Sequence, residues 1–347
     1  MEMDVAHMKR SNLQLLVSIT IIAFFTWVFM FSSSKPRILV LHSLSESADW
    51  AIRIEEGMKE VLRSNRTPVT VLYHYMNLDE SGSEAQVKAA VQSALRSIER
   101  EKPDILISID DESNTLLTSK LNPETRPAVL YLSTLQPPAR YGYSQNTRST
   151  GVEENIPAQA ISDLLRSIFS GRKLQIAVIG ADDVTGQAEM QRLQSSEWGA
   201  HALGPLKLVS TFEQWRTFVS EEANKADVLL VLTAEMIEGD TKDVLIPERE
   251  VIRWTEQHAA PLPIGIRQSY VRYGGGLAVS SPGAVYGRLG MQMALDWIKN
   301  GIRHIPPAQS HVSDFNVSMR AKALEKRGIE LPPVYRELAR ASGGLYP

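Results

Sequence analysis

The stretch Arg37–Ser64, RILVLHSLSESADWAIRIEEGMKEVLRS, decides the fold class because it joins two different hydrophobic patterns. It begins with a short apolar run, RILVLHS, which is typical of a strand that is buried on both faces. The remainder carries apolar residues at intervals of three or four, at Trp50, Ile54, Met58 and Val61, which predicts an amphipathic helix. The stretch therefore predicts one strand followed by one helix.

The same alternation continues along the chain in two blocks. In the first block, strand-like runs such as DILISID (Asp104–Asp110) and PAVLYLS (Pro127–Ser133) alternate with helix-like runs, and an irregular segment, Thr134–Gly151, follows. The alternation then restarts with KLQIAVIG (Lys173–Gly180) and continues to PLPIGI (Pro261–Ile266). Alternating strands and helices predict parallel sheets with helices on both faces. The sequence therefore predicts two α/β units of similar size.

The N-terminal region predicts a membrane-spanning or export segment. Residues Leu13–Ser32 contain no charged side chain and are almost wholly apolar, and about twenty such residues span a bilayer as a helix. Lys9 and Arg10 precede them, which favours a cytoplasmic N-terminus and a chain that lies outside the cytoplasmic membrane from Lys35 onward. Three interpretations stay open: an uncleaved anchor, a buried core helix, and a cleaved signal peptide, for which Met8 offers an alternative start.

Composition and motifs argue against most catalytic and cofactor classes. The 347-residue chain has a formal net charge of −3, which gives no reason to expect a nucleic-acid partner. It has no cysteine, so disulfides, thiolate metal sites and a cysteine nucleophile are excluded. The seven histidines form no H-E-x-x-H motif, and the serines form no G-x-S-x-G motif. We therefore predict no cofactor, no metal and no catalytic residue.

The glycine-rich stretch Val271–Gly290, VRYGGGLAVSSPGAVYGRLG, fails as a nucleotide-binding loop. It lacks the lysine and the spacing of a P-loop, and Val279 stands where a dinucleotide fingerprint needs its third glycine. Glycine also lets a chain change direction between packed units. We therefore expect Gly274–Gly276 to lie at or beside a crossing between the two units, and Gly287 to begin a helix of the first unit.

Polar residues cluster in the loops that follow the predicted strands, where open α/β sheets bind ligands. These loops are rich in hydroxyls, acids and amide donors, which suits a small polar molecule held between two lobes. For each residue, a helix cap or a turn is the alternative role. The predicted ligand-binding residues are His42, Ser43, Ser45, Glu46, Asp110, Asp111, Ser133, Thr134, Asp182, Asp183, Thr233, Glu235, Arg267 and Gln268.

Four segments carry a further pattern. They are the strand and helix of Arg37–Ser64, the Ser149–Val152 turn with the helix and strand after it, the small-residue strand before Tyr286 and Gly290, and a C-terminal signature of Asn316, Ala321, Gly328 and Pro332. In this order and spacing they resemble the ABC transporter substrate-binding family that includes aromatic-amino-acid binders. The resemblance covers nearly all of residues 36–345. It implies an α/β fold of the type I periplasmic-binding-protein class, a two-lobed sandwich of two parallel sheets flanked by helices.

The resemblance also implies a domain organisation. Residues 1–34 are expected to form a cytoplasmic tip and a transmembrane anchor or signal segment. Lobe one is expected to comprise residues 35–150 and 276–303, and lobe two residues 151–275 and 304–347.

The function implied is that of a solute-binding protein at the inner membrane, with most of the chain periplasmic, that presents a small ligand to an ABC permease. Where the family commonly has a small Gly-Thr-type turn, this chain has Asp110–Ser113, DDES, whose charge favours an amine-bearing or otherwise cationic ligand, such as an amino acid. Two alternatives stay open. One is a membrane-tethered sensing module for a signalling partner, and the other is an enzyme that uses Asp110 and Glu235 as an acid–base pair.

Overall fold

The computed structural model describes Val17 and residues 19–25, 35–78, 83–144, 148–241, 244–308 and 312–347. Of the expected membrane-spanning segment, Leu13–Ser32, it describes Val17 and residues 19–25, which are helical, and the rest lies outside the described residues. None of the helices in this described part of the chain combines the length and the apolar composition that a bilayer span requires.

Lobe one is built, within the described residues, on a five-stranded parallel sheet. Its elements in chain order are β1 (Arg37–His42), α1 (Asp49–Ser64), β2 (Thr70–Tyr75), α2 (Glu84–Glu101), β3 (Ile105–Ile109), α3 (Asp110–Leu116), β4 (Ala128–Thr134) and β5 (Ser149–Glu153). The strand order is β2-β1-β3-β4-β5. In β1, Ile38 and Val40 pack with α1 on one face, and Leu39 and Leu41 pack with residues of α2 on the other. Both faces are therefore covered, as the apolar strand pattern predicts.

Lobe two is built on a sheet that contains seven strands in the described part of the chain. Its first elements are α4 (Ala158–Ile168), β6 (Gln175–Ala181), α5 (Val184–Gln194), β7 (Ala202–Val209), α6 (Phe212–Thr217), β8 (Val228–Val231), α7 (Glu248–His258), β9 (Leu262–Gly265), α8 (Gln268–Arg272) and β10 (Leu277–Ser280). A long helix, α9 (Gly283–Asn300), then packs on lobe one. The remaining elements, β11 (Asn316–Arg320), α10 (Ala321–Lys326), α11 (Pro333–Ala341) and β12 (Leu345–Tyr346), complete lobe two in the strand order β12-β11-β10-β9-β8-β6-β7.

The second sheet is not wholly parallel, which corrects the expectation of two parallel sheets. Strand β11 runs antiparallel to β10, with Asn316 opposite Ser280. The chain leaves lobe two at the carboxyl end of β10, passes through α9 and re-enters beside the same end. A strand that starts there can only run in the opposite direction along β10.

The crossings between the lobes differ from the predicted boundaries. Strand β5 pairs with β4, so lobe one extends to Glu153 instead of ending at residue 150. Strand β10 pairs with β9 and β11, so lobe one resumes with α9 at Gly283 and not at residue 276. Ile305 and Val312 still pack in the core of lobe one, so these two residues do not belong to lobe two as expected. The last crossing therefore lies between Val312 and β11.

The glycine-rich stretch lies near the second crossing without forming it. Gly274–Gly276 precede β10 within lobe two, and the whole of β10 separates them from the crossing at Ser281 and Pro282. Gly287 lies inside α9 and not at its start. A Cβ atom added to Gly287 would lie 1.9 Å from the backbone oxygen of Ile54 in α1. This glycine therefore allows two helices of lobe one to pack backbone against backbone.

Candidate functional site

The carboxyl ends of strands from both lobes face a cavity of about 340 Å³. Lobe one lines it with Leu44 after β1, with Trp50 near the start of α1, and with Glu154 after β5; lobe two adds Glu235 and Arg267 after β8 and β9. A volume of this size between two lobes is typical of a site for a small molecule. A much smaller space, lined by Ser43 and Asp110 among others, adjoins it and shares Leu44, Glu154, Glu235 and Arg267.

Arg267 is fixed at the cavity wall by a buried carboxylate. Its Nε and Nη2 atoms donate to Oε1 of Glu189 at 2.9 and 2.6 Å, and the Glu189 side chain is only 2 % exposed. The other carboxylate oxygen of Glu189 accepts from the backbone N–H of Thr233 at 2.8 Å. Burial acts to lower the pKa of Arg267, but Glu189, Glu235 and Glu154 hold that pKa well above its ordinary value.

Further carboxyl groups face the same cavity, and burial is the main cause that raises their pKa. The pKa of Glu154 is raised to about 8, with Asp110 adding to the shift and Arg267 opposing it. The pKa of Glu248, the first residue of α7, is also raised to about 8, with repulsion from Glu235 as the next cause. Without a bound cationic molecule, these carboxyl groups are therefore largely protonated at neutral pH.

The raised pKa values of Glu154 and Glu248 predict that the ligand-free protein loses stability as the pH rises. A glutamate titrates near pH 4.3 in an unfolded chain, whereas these two titrate near pH 8 in the folded protein. The folded state holds more protons between these values, so this contribution is fully present below about pH 4 and is lost by about pH 8. Repulsion from Asp110 and Glu189 further raises the pKa of Glu154, and repulsion from Glu235 and Glu189 further raises that of Glu248, while Arg267 opposes both shifts.

Urea denaturation at about pH 5 and about pH 8 checks this prediction. The double variant Glu154→Gln, Glu248→Gln is expected to show a weaker pH dependence than the parent, because its amides do not titrate. A free energy of unfolding that does not fall between these pH values in the parent, or that falls equally in the double variant, would contradict the prediction.

Asp110 links three segments at the edge of the cavity. Its Oδ2 accepts from Ser43 Oγ at 2.7 Å, and its Oδ1 accepts from Trp50 Nε1 at 2.9 Å. The residue begins α3 with a left-handed φ of 70°, a conformation that aspartate adopts more readily than most residues. Burial raises the pKa of Asp110 to about 6, against the lowering effect of its hydrogen bonds. The Asp110 carboxyl group thus positions the loop after β1 and the start of α1.

The structure brings half of the expected ligand-binding residues to the cavity or to the adjoining space. Glu235, Arg267 and Gln268 line the cavity itself, and Ser43 and Asp110 line the smaller space. The complete set is Ser43, Asp110, Asp111, Ser133, Glu235, Arg267 and Gln268. Each of these residues follows the carboxyl end of a strand or lies within its last two residues, as the rule for open α/β sheets predicts.

The other half of the expected residues, all of which the structure describes, lines neither space: His42, Ser45, Glu46, Thr134, Asp182, Asp183 and Thr233. His42 continues the row of Ile38 and Val40 that faces α1, where its ring stacks on Tyr75 with 5.1 Å between centroids. Burial lowers the pKa of His42 to about 4, so it is neutral. This histidine therefore belongs to the interior of lobe one.

The remaining members of this group have structural or surface positions. Asp183 caps α5, accepting from the backbone N–H of Gly186 at 2.6 Å. Asp182 and Glu46 are exposed, and Asp182 accepts from the side chain of Gln187. Ser45, Thr134 and Thr233 are buried. Asp183 therefore has the capping contact that the alternative role describes.

Asp111 lines the smaller space but serves the structure of the loop after β4. Its carboxylate accepts from the backbone N–H groups of Leu135 and Gln136 at 2.9 Å each and from the hydroxyl of Tyr141, and the residue is 2 % exposed. We predict that Asp111→Ala lowers the free energy of unfolding by about 2–3 kcal/mol, because it leaves buried N–H groups without acceptors. Tyr141→Phe, which removes one donor, should cost about 1 kcal/mol.

Urea denaturation of the two variants measures both losses. If Asp111→Ala weakened ligand binding while leaving the free energy of unfolding unchanged, the structural role assigned to Asp111 would be wrong.

Several cavity residues escaped the sequence argument: Trp50, Glu154, Met236, Ile246 and Glu248. Glu154 follows β5, so the strand-end rule would have found it if Ser149–Glu153 had been recognised as a strand. Trp50 and Glu248 lie in the first turns of α1 and α7. In the sequence, Trp50 reads as part of an apolar helix face, and Glu248 reads as an acid that interacts favourably with the helix dipole. Among the described residues, no group of His, Asp and Glu side chains is arranged to hold a metal ion.

Solved structures match this arrangement over most of their length. The ABC domain in complex with L-Trp from Streptococcus pneumonia has a TM-score of 0.66 and 15% identity, covering 90% of this chain and 100% of its own. A conserved domain protein from Vibrio cholerae has a TM-score of 0.62 and 16% identity, covering 88% and 98%. A ligand-free, open substrate-binding protein with adhesive properties from Clostridium difficile has a TM-score of 0.60 and 15% identity, covering 86% and 96%.

The chain has the fold of a solute-binding protein. This confirms, for the fold, the resemblance to ABC-transporter solute-binding proteins of the type I periplasmic-binding-protein class. No family model and no curated protein matches the sequence. Since identities near 15% establish the fold alone, the function of this solute-binding fold has to be argued from its cavity.

Proposed function

We propose that this protein is an extracytoplasmic solute-binding protein that traps a small polar molecule between its two lobes. The observation that carries the proposal is the cavity of about 340 Å³, which both lobes line with polar side chains from the carboxyl ends of their strands. A molecule in this cavity contacts lobe one through residues such as Trp50 and Glu154, and lobe two through Glu235 and Arg267. Such a ligand stabilises the closed arrangement by contacting both lobes.

Polar contacts across the cavity rim support a closing motion of this kind. Nη1 of Arg272 in lobe two lies 2.6 Å from Oδ1 of Asp49 in lobe one. Nη2 of Arg192 in lobe two donates to the backbone oxygen of Leu135 in lobe one at 2.7 Å. The Arg272 side chain is 46% exposed, and exposed ion pairs contribute little stability. An ion pair this weak leaves the energy of ligand binding to contribute to the choice between open and closed arrangements.

The partner and the location are part of the same proposal. The solute-binding fold suits delivery of a ligand to an ABC permease, which would read the closed arrangement. The uncharged segment Leu13–Ser32, preceded by Lys9 and Arg10, suits export and tethering at the inner membrane. A sensing module for a signalling partner would use the same binding step.

The enzyme alternative has less support from the geometry. It requires Asp110 and Glu235 to exchange protons with a substrate, yet both carboxylate oxygens of Asp110 already accept hydrogen bonds, from Ser43 and Trp50. His42, which could have oriented such a pair, faces α1 instead. A carboxylate whose two oxygens both accept hydrogen bonds fits the role of positioning the loop after β1 and the start of α1.

A thermal-shift screen of the purified full-length chain against amino acids, amines, sugars and nucleosides tests the proposed function. We expect at least one class of compound to raise the melting temperature in a saturable manner, with one site per chain by calorimetry. Trp50→Ala is expected to weaken that binding at least about tenfold, since stacking and packing of an aromatic side chain are worth more than 1.4 kcal/mol.

Trp254→Ala is the matched control, because Trp254 stacks on His258 in α7 and does not line the cavity. Equal loss of binding in both tryptophan variants, or no saturable binding by any compound, would contradict the proposed function. Conversion of the bound compound into a product, followed by mass spectrometry, would favour the enzyme alternative.

A further inference from the structure

The acidic and basic side chains on the cavity wall are not matched in pairs. Each arginine that lines the cavity has its own acidic partner: Arg267 pairs with Glu189 at 2.6 Å, and Arg53 pairs with Glu56 at 3.0 Å. Glu154, Glu235 and Glu248 also line the cavity. Within the part of the chain that the structure describes, no salt bridge joins Glu154 or Glu248 to a lysine or arginine. Glu154 and Glu248 are therefore acidic groups of the wall that its own arginines do not pair.

The hydrogen bonds to Glu154 and Glu248 come from neutral groups. Glu154 accepts from the hydroxyl of Ser133, and Glu248 accepts from the hydroxyl of Ser269 at 3.5 Å. A neutral donor compensates a buried carboxylate less than a cation does. Burial raises the pKa of both acids to about 8, and a cation placed beside them would shift them to the charged form.

A second observation, independent of the acids, points to a missing ligand. Ser280, at the end of β10, lines the cavity and is only 3 % exposed. Its Oγ atom is buried and has no hydrogen-bond partner among the described residues. Native proteins rarely leave a buried hydroxyl unsatisfied. A donor group of a bound molecule would supply the partner that the protein does not.

The rest of the wall is apolar or aromatic. Leu44 and Trp50 of lobe one and Met236, Ile246 and Tyr273 of lobe two line the same cavity. A ligand that bound only to the acidic groups would leave this apolar and aromatic surface in contact with water. The cavity therefore matches a molecule that combines a positive group with a short hydrocarbon or aromatic part.

We propose that the ligand is a small organic cation, a primary amine or a guanidine, whose charged group binds at Glu154, Glu235 and Glu248 and whose apolar part packs against Trp50 and Ile246. This inference rests on the proposed function, because it names the class of molecule that the same cavity binds. The Ser280 hydroxyl accepts a hydrogen bond from the charged group. Binding releases protons at neutral pH, because the cation charges Glu154 and Glu248.

Calorimetric titration of the full-length chain with probes of one shape and different charge tests this assignment. Pentylamine and cadaverine carry one and two ammonium groups, whereas pentanol is neutral and pentanoate is an anion. At about pH 8, we expect the two amines to bind at least about tenfold more tightly than pentanol or pentanoate, which corresponds to 1.4 kcal/mol or more. Titration of cadaverine in two buffers of different ionisation enthalpy should show proton release.

The isosteric variant E154Q/E248Q is expected to weaken cadaverine binding at least about tenfold, while E221Q, which alters an exposed acid of lobe two, leaves it unchanged. Thermal denaturation of E154Q/E248Q checks that this double variant is folded. The proton-release measurement on the parent protein tests the assignment without any variant. Binding of pentanol or pentanoate as tight as that of the amines would overturn the cation assignment. Binding of only anionic or uncharged compounds in the wider screen would do the same. Both results would leave the proposed function standing, whereas the absence of any saturable binding would remove the proposed function itself.

Discussion

Replacing Arg267 with methionine is expected to lower the free energy of unfolding by about 3–5 kcal/mol, because it leaves a buried carboxylate without its cation. The carboxylate is that of Glu189, whose side chain is 2 % exposed and whose Oε1 atom lies 2.6 Å from Arg267 Nη2. Glu154, Glu235 and Glu248 would also lose the attraction that opposes their mutual repulsion. Urea denaturation followed by tryptophan fluorescence measures the loss, which should be largest above about pH 8, where Glu154 and Glu248 are charged.

A second substitution separates the buried charge from the loss of side-chain packing. The double variant Arg267→Met, Glu189→Gln removes both charges and keeps a hydrogen-bond acceptor for the backbone N–H of Thr233, which now bonds to Glu189 at 2.8 Å. We expect it to recover more than half of the lost free energy. A double variant no more stable than Arg267→Met would contradict the assigned charge pairing.

Substituting alanine for Gly287 is expected to destabilise lobe one by about 3 kcal/mol, since the added methyl group meets backbone atoms that cannot move independently. Its Cβ would lie 1.9 Å from the oxygen of Ile54. A Cβ atom added to Gly57 on α1 would likewise lie 2.0 Å from the backbone oxygen of Ala284 in α9. In an exposed helix the same change would stabilise the protein by up to about 1 kcal/mol, so the sign of the effect identifies the helix contact.

The control for Gly287 lies on the same helix. Gln292 is exposed on α9, and Gln292→Ala should change the free energy of unfolding by no more than about 0.5 kcal/mol. If Gly287→Ala were as stable as the parent, α1 and α9 would not pack as closely as the structure shows.

The fold class was predictable from sequence because most of its strands are buried on both faces. Continuous apolar runs such as RILVLH in β1 and AVLYLST in β4 leave little ambiguity when helical periodicity lies between them. Strand β5, STGVE, is an edge strand with few apolar residues, so it reads as a turn and the sequence predicts a lobe boundary that is too early. The antiparallel direction of β11 depends on the route of the chain through α9, which local sequence does not encode.

The site was predictable only where backbone position determines it. The rule that ligands bind after the carboxyl ends of strands found Ser43, Asp110 and Arg267, because all three follow strands. It failed for His42, since neighbouring residues of a strand face opposite sides and His42 faces α1. It also missed Trp50 and Glu248, which reach the cavity from helix N-termini whose placement depends on how the two lobes meet.

The central claim is that a small molecule binds between the lobes and draws them together. Because the chain contains no cysteine, the substitutions Arg63→Cys on α1 and Glu250→Cys on α7 place a pair of fluorescent labels on exposed positions of opposite lobes. Energy transfer between the labels is then measured while the compound with the largest thermal shift is added. We predict a saturable change in transfer efficiency with the same dissociation constant as calorimetry, which Trp50→Ala shifts to higher concentration and Trp254→Ala does not. Saturable binding with no change in transfer efficiency, unaffected by Trp50→Ala, would contradict a ligand site between the lobes.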